Sequence, residues 1–386
     1  MKVARSIKFM GVSTVVSLTL ACGAQSKSTT EDTSSTDTST TSTSTTATNK
    51  VGSVSNIADL KLSGALAINL PEAFGGSANG TNLRLLAGLK SQEACMMGST
   101  IKQSVQSLGE VAGFFCHLEV EKDRMKFGKK YKLNTSQGEF AKIFVDNSQA
   151  ASGKLTISFC QADMGKGGHR QLITIDTLTE AGPKGAIISD GSGTENGVAM
   201  TYARSTSFDM SVKDIVNLIS KDKNTMSGNT FVREVGLDLK KSGQSSLKLA
   251  NKGSNGTAEF FDRGIAYMGS DRGSAVFQSK GADGSNSWDF SRRAHFSKSG
   301  EVLTSTDVGA DLQPATTAMP AYLAADFAPD APTGWVGNNC PDFDEEVTID
   351  PTSGGHAACE QDHSNGDMDC WDQTKYQSSS EQITVQ

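Results

Sequence analysis

Seven cysteines and five histidines carry most of the chemical reach of this chain. Six of the cysteines, Cys95, Cys116, Cys160, Cys340, Cys359 and Cys370, lie in the body of the sequence. With His356 and His363 the last three offer thiolate and imidazole ligands for zinc; alternatively the six form three disulfides. The spacings contain neither CxxC nor HxxxH, so a metal site is not expected. The acidic, glycine-centred run Asp362 to Asp369 has the look of a calcium loop. With Gly366 at the invariant turn position, however, ligand positions one and three fall on Gln361 and His363, which is not the carboxylate-rich set such a loop requires. A solvated turn is the expectation there.

Nucleophile and phosphate motifs are equally scarce. No HExxH, GxSxG or GxxxxGK[ST] occurs. Ser192 is flanked by glycines without a nucleophile elbow around it. Gly165-Lys166-Gly167 fails the GxGxxG spacing because position 170 is arginine. No catalytic residue and no cofactor is expected from these patterns, although a triad assembled from distant residues has no sequence signature. Arg292 and Arg293, with Trp288 and Phe290, form the one basic–aromatic cluster of note. On a strand, Trp288, Phe290 and Arg292 share one face and Arg293 takes the other, which reads as a buried aromatic stripe.

The N-terminus places the chain. Lys2, Arg5 and Lys8 precede an apolar and small-residue run from Met10 to Ala21, which ends at Ala21-Cys22-Gly23. The run is too short to span a bilayer, which takes ~20 helical residues, and has the size of a secretory h-region. It resembles a bacterial lipoprotein signal, in which a small residue directly precedes a cysteine that is lipidated after cleavage; Thr19 stands where that pattern usually has an aliphatic residue. The resemblance implies lipid on Cys22 and a place in the cell envelope, lipid-anchored, on the periplasmic or surface face of what is expected to be an outer membrane. An oxidising compartment then favours disulfides for the six remaining cysteines. Cys95 and Cys116 are expected to pair with each other. Cys160 then pairs with one of Cys340, Cys359 and Cys370, since three thiols cannot all pair among themselves.

After the signal (residues 1–21) comes a segment in which eighteen of residues 26–49 are Ser or Thr. It has no apolar side chains to offset an ordering cost of ~1–2 kcal/mol per residue, so residues 22–52 are expected to be a disordered tether. Residues 53–313 should form one domain. Ile57–Leu70 alternates in part and reads as a strand. Ile101, Val105, Leu108, Val111, Phe115 and Leu118 recur at three and four, the mark of a helix across residues 91–119. From Phe127 to about Thr306 short period-2 segments alternate with glycine-rich turns. Expected strands are Phe140–Val145, Leu155–Phe159, Leu172–Leu178, Gly185–Ile188, Val198–Arg204, Thr230–Leu239, Ser246–Leu249, Ala258–Phe261, Ala266–Met268, Ala275–Gln278 and Ser287–Phe296. The cluster Ser189–Gly193 reads as a turn. Ser211–Lys221, with Val212, Ile215, Val216 and Ile219, fits a short helix. Residues 314–386 bring six prolines, thirteen acids and three cysteines and should form an irregular acidic extension lying on the domain.

The fold expected is therefore α+β dominated by β: an antiparallel meander sheet or partial barrel with one helical segment packed on it. Its element order over residues 57–306 loosely resembles the lipoprotein-carrier fold, in which a curved sheet wraps a helix; the likeness is architectural and carries no residue with it. Residues 321–386 hold thirteen acids against Lys375 alone. That balance argues against nucleic acid, which requires clustered cations. The function expected is that of an envelope lipoprotein joined to the membrane by its N-terminal lipid and binding a protein partner or an apolar ligand. An envelope hydrolase with a loop-built site, or a structural surface protein, are the alternatives.

Overall fold

The computed structural model describes residues 49–53, 126–134, 140–163, 167–195, 198–240, 242–254, 256–297, 303–330, 347–349 and 381–382. The strand expected at 57–70, the helix expected across 91–119, the acidic loop at 362–369, and Cys22, Cys95, Cys116, Cys340, Cys359 and Cys370 lie outside these residues.

Twelve strands follow one another as an antiparallel meander: β1 (Lys130–Asn134), β2 (Phe140–Asp146), β3 (Leu155–Asp163), β4 (Gly167–Leu178), β5 (Pro183–Glu195), β6 (Val198–Asp209), β7 (Ile215–Met226), β8 (Asn229–Lys240), β9 (Ser245–Ser254), β10 (Ala258–Met268), β11 (Arg272–Asp283) and β12 (Asn286–Ser297). The described part of the chain is thus mostly antiparallel sheet, as its rhythm implies, and the sheet is open: β1 and β12 do not pair with each other. Instead β13 (Val347–Ile349) pairs parallel with β1, and β14 (Glu381–Gln382) pairs antiparallel with β12. Both edges of the meander are thereby capped by short pieces of the C-terminal extension, which removes part of the template for edge-to-edge association.

Alternation assigns one face of the sheet to the interior. Val145, Leu155, Ile157, Ile173, Ile175, Leu218, Val235, Leu247, Leu249 and Ala266 all point there with exposures of 0–2%. They join a single buried cluster drawn from β1 through β12. The opposite face carries Lys221, Lys223, Glu234, Asp238, Lys248, Lys252 and Glu259, with cross-strand ion pairs such as Lys252–Glu259 at 3.2 Å. A membrane-spanning barrel needs an apolar outer band, which these charges contradict. Among the described residues no helix is long and apolar enough to cross a membrane.

Glycine lets the inner face accept large rings. Gly191 pairs with Tyr202, Gly253 with Phe260, Gly281 with Trp288 and Gly273 with Phe296. A Cβ at any of these glycines would sit 2.2–2.6 Å from the partner's ring. Each ring therefore lies across the neighbouring strand where a side chain would otherwise stand, the arrangement known as aromatic rescue of glycine.

One end of this interior is sealed by local chain. Val51, in a 3-10 turn at Val51–Ser53, is 1% exposed. Asn49 donates through Nδ2 to the Asp176 carbonyl at 3.2 Å, and its Oδ1 accepts from the Leu178 amide at 3.1 Å. The folded part thus begins by Asn49, inside the stretch expected to be tether, because Val51 supplies the apolar side chain that the Ser/Thr run lacks. Against β11 sits the four-residue helix α1 (Ser305–Val308), closed by a capping box between Thr304 and Asp307. Val308 and Leu312 are buried, and Arg272 donates to the Asp307 carbonyl at 2.8 Å.

The extension then crosses the outer face from β12 towards β6. Arg293 donates to the Pro314 carbonyl; Met319 packs on Ile265 and Val276; and the Tyr322 ring lies under Arg263 and Lys280, at 4.6 and 4.1 Å. Phe327 meets Lys221, and the Asp330 amide donates to Ser205. Cation–π contacts, each worth roughly 0.5–2 kcal/mol, hold a segment poor in apolar residues.

Three local expectations are corrected. Ser211–Lys221 is not a helix: residues 211–214 form a turn in which Asp214 adopts φ 62, and strand β7 begins at Ile215. Val216 and Leu218 are buried while Val212 and Ile219 are 55% and 50% exposed, so the period is two and the apparent helical face is divided between the two sides of a sheet. Ser189–Gly193 is not a turn but the middle of β5, and the two strands expected at Ala258–Phe261 and Ala266–Met268 are one strand, β10.

Gly185 tests the register. A Cβ there would fall 1.9 Å from the Thr174 carbonyl oxygen, a backbone atom that cannot step aside. Gly185→Ala is expected to cost about 1–3 kcal/mol in urea unfolding. Gly236→Ala, whose added Cβ meets only Lys248 Cβ at 3.9 Å, should be neutral or stabilise by up to about 1 kcal/mol.

Candidate functional site: the inner face at the hairpin end

Because neighbouring strands pair residue for residue, inward side chains line up in straight rows across the sheet. Nearest the sealed end the rows are apolar. Further along lies a row of another kind: Gln171, Ser189, Arg204, Asp222, Arg233, Asn251, Asp262 and Ser279, each paired directly with the next from β4 to β11. It forms a polar belt across the inner face.

Its centre is ionic. Asp222, 2% exposed, accepts from Arg204 on one side, and from Arg233 Nε and Nη2 at 3.2 and 2.9 Å on the other. Burial pushes the Asp222 carboxyl up, but the two guanidiniums outweigh it and hold the group below the usual carboxylate range. One row further in, Thr206 and Ser220 share a buried hydroxyl–hydroxyl bond at 3.0 Å.

Asp262 sits at the other end of the belt without an adjacent cation in its row. Burial raises its carboxyl to about 6, with hydrogen bonds from Ser279 and Asn251 pulling the other way. The Oδ1 of Asn251 is buried and has no hydrogen-bond partner.

Beyond the belt, towards the β5–β6, β7–β8, β9–β10 and β11–β12 hairpins, comes a row of rings and glycines. It runs His169, Gly191, Tyr202, Asn224, Phe231, Gly253, Phe260, Gly281 and Trp288. All five ring-bearing residues are half-buried. His169 and Tyr202 stack with centroids 5.8 Å apart, and His169 Nδ1 is hydrogen-bonded to the Tyr202 hydroxyl. Desolvation lowers the imidazole to about 4, partly opposed by Asp190 and reinforced by Arg204, so the ring is neutral at pH 7. Phe231 and Phe260 lie 6.3 Å apart, and Trp288 Nε1 donates to Ser279 Oγ at 3.1 Å, tying the ring row to the belt.

A depression lies on the outer face. Arg170 and Asp190 pair across β4 and β5 (Nε to Oδ1, 2.8 Å) and border this depression of about 350 Å³ that also meets Ser192, Thr201, Ala203 and Lys223. His169 faces the other side of the sheet. Its hydrogen-bonded partner is therefore a phenol, while the neighbouring carboxylate is turned away to Arg170. Imidazole, acid and hydroxyl do not converge here as a hydrolase requires.

Of the residues singled out in the sequence, Trp288, Phe290 and Arg292 do share the inner face and Arg293 the outer, in the register with β11. Ser192 lines the outer depression. Cys160 is on the outer face of β3, 1% exposed, and its sulfur is not a free thiol; whatever it meets lies outside the described residues. Among the described residues no group of three His, Cys, Asp or Glu is arranged to hold a metal. The belt was not foreseen. Its signal in the sequence is a polar residue standing on the apolar side of each strand at a matching distance from each hairpin turn.

The ionic centre of the belt and Asp262 respond differently to pH. Asp262 binds its proton more tightly folded than unfolded, so its contribution weakens stability as pH rises from about 4 through about 6. Asp262→Asn should remove this loss, leaving the variant more stable relative to wild type at pH 7.5 than at pH 4, by on the order of 1–2 kcal/mol. Urea titrations at the two pH values measure the difference, and an equal offset at both would contradict the assignment.

Comparison with family models, with curated proteins and with solved structures finds no match.

Proposed function

We propose that this chain is an exported lipoprotein, held in the cell envelope by lipid on Cys22, whose β domain is a non-catalytic binding module. The binding surface is the inner face at the hairpin end of the sheet. One observation carries the reading: half-buried rings stand in register beside a polar belt, while the apolar core of the same face is buried to 0–7% exposure. A mouth lined by rings with a few fixed polar groups is the composition of a ligand site. Filled apolar rows leave the accessible end as the place for a partner, so a polar partner fits better than the apolar ligand that composition alone allows. The basic, apolar and Ala-Cys order of residues 2–22 supports the anchor, and the Ser/Thr run supports a spacer, which together present the mouth away from the membrane. That Cys160 is not a free thiol is compatible with an oxidised compartment.

Two measurements in cells test the proposal separately. Cys22→Ser should move the protein from the membrane to the soluble fraction; unchanged detergent partitioning would remove the anchor. A photo-crosslinking phenylalanine analogue at Phe260 should give an adduct on irradiation of intact cells. The same analogue at Val212, 55% exposed on a distant turn, should not. No adduct at 260, or equal adducts at both positions, would remove the binding surface.

A further inference from the structure

We propose that the ligand class of this site is carbohydrate, with Trp288 and Phe260 as stacking platforms and Asp262 and Asn251 as hydroxyl acceptors. The inference rests on the binding reading above and names what that surface takes. Its starting point is the mixed demand of one small region. Asp262 and Asn251 are cross-strand neighbours in the belt, and Phe260 and Gly253 are the pair next to them towards the hairpins. Gly281 and Trp288 continue that row on the far side. Rings and acceptors are therefore adjacent by register.

The acceptors call for donors. Asp262 has no cation beside it in its row and accepts hydrogen bonds from Ser279 and Asn251. Asn251 Oδ1 is a buried carbonyl-type oxygen with no partner at all, a position that costs about 1–3 kcal/mol unless something donates to it. A purely apolar ligand would leave that cost in place. A phosphate or carboxylate would set a second anion against Asp262. Hydroxyl groups satisfy both oxygens without adding charge.

The rings call for a flat, weakly polar surface. Trp288 lies against Gly281, where a Cβ would sit 2.3 Å from its ring, and its indole nitrogen is fixed on Ser279 at 3.1 Å. Phe260 lies against Gly253 in the same manner, at 2.2 Å. Backed by glycine and only half-buried, these rings are held in place before any ligand arrives, which reduces the ordering cost of binding. A pyranose meets both demands at once: its C–H face stacks on a ring while hydroxyls at its edge donate to carboxylate and amide oxygens.

The test is isothermal titration calorimetry on the purified full-length protein with three probes: chitotetraose, maltotetraose and dodecanoate. At least one saccharide should bind, and binding should change the fluorescence of Trp288. Trp288→Ala should weaken the affinity about tenfold or more, as expected for an aromatic anchor. Asp262→Asn, which keeps the shape of the side chain, should weaken it severalfold. Arg170→Ala, on the outer face, should leave it unchanged. Failure of both saccharides at millimolar concentration, binding of dodecanoate alone, or saccharide binding indifferent to Trp288→Ala and Asp262→Asn would overturn the carbohydrate assignment. If the Phe260 adduct forms in cells under those outcomes, the binding surface stands and only its ligand class falls.

Discussion

Direct cross-strand pairing is the constraint on which this structure turns. From β4 to β12 the register is held almost without interruption, the shift between Ile175 and Thr177 being the exception near the sealed end. Side chains on one face must therefore find their company within their own row or the rows beside it. Apolar rows can tolerate any neighbour of suitable volume. A buried carboxylate between two strands cannot, and around Asp222 the row is polar from β4 to β11.

Asp222 shows how closely this must be arranged. A carboxylate at 2% exposure would be intolerable alone, yet the flanking strands deliver one guanidinium from each side. Such a buried network is not a strong source of net stability, because desolvation consumes much of the Coulomb gain. Its effect is on specificity of register. Sliding β7 by one residue against β6 or β8 would carry Asp222 to the outer face and set Lys221 or Lys223 against the buried guanidiniums of Arg204 and Arg233. The Gly–aromatic pairs act in the same direction, since each ring fits only where the facing strand has no side chain. Belt and ring row together fix the alignment at the hairpin end, where apolar packing is thinnest.

The same constraint explains what could be read from the sequence. The strand rhythm and the antiparallel class were legible because the apolar rows give period two at each strand's buried half. The expected strands Leu155–Phe159, Gly185–Ile188, Ser246–Leu249 and Ala275–Gln278 stop at or just before the belt, whereas the strands themselves run on to Asp163, Glu195, Ser254 and Asp283. Past that line, inward positions are held by Ser189, Gly191, Asn251, Gly253, Ser279 and Gly281, residues that in isolation read as turns. β10 was split in two for the same reason, at Asp262-Arg263-Gly264. The hairpin halves of β5, β9 and β11 were hidden because their inner positions are Ser, Asn and Gly, whereas those of β6, β8 and β12 were legible through Tyr202, Phe231 and Trp288. β7 failed differently: Val212, Ile215, Val216 and Ile219 satisfy helical spacing as well as they satisfy a strand flanked by a turn, and only the burial of Val216 and Leu218 separates the two.

The account holds that the belt divides a filled interior from an accessible mouth. The most direct measurement is collisional quenching of Trp288 in a single-tryptophan chain, with Trp335 and Trp371 replaced by phenylalanine. The account predicts that acrylamide quenches Trp288 strongly in the native protein, and that a bound ligand at the mouth protects it. A blue-shifted emission that acrylamide does not reach until the protein unfolds would show that the ring row is closed and would contradict the account.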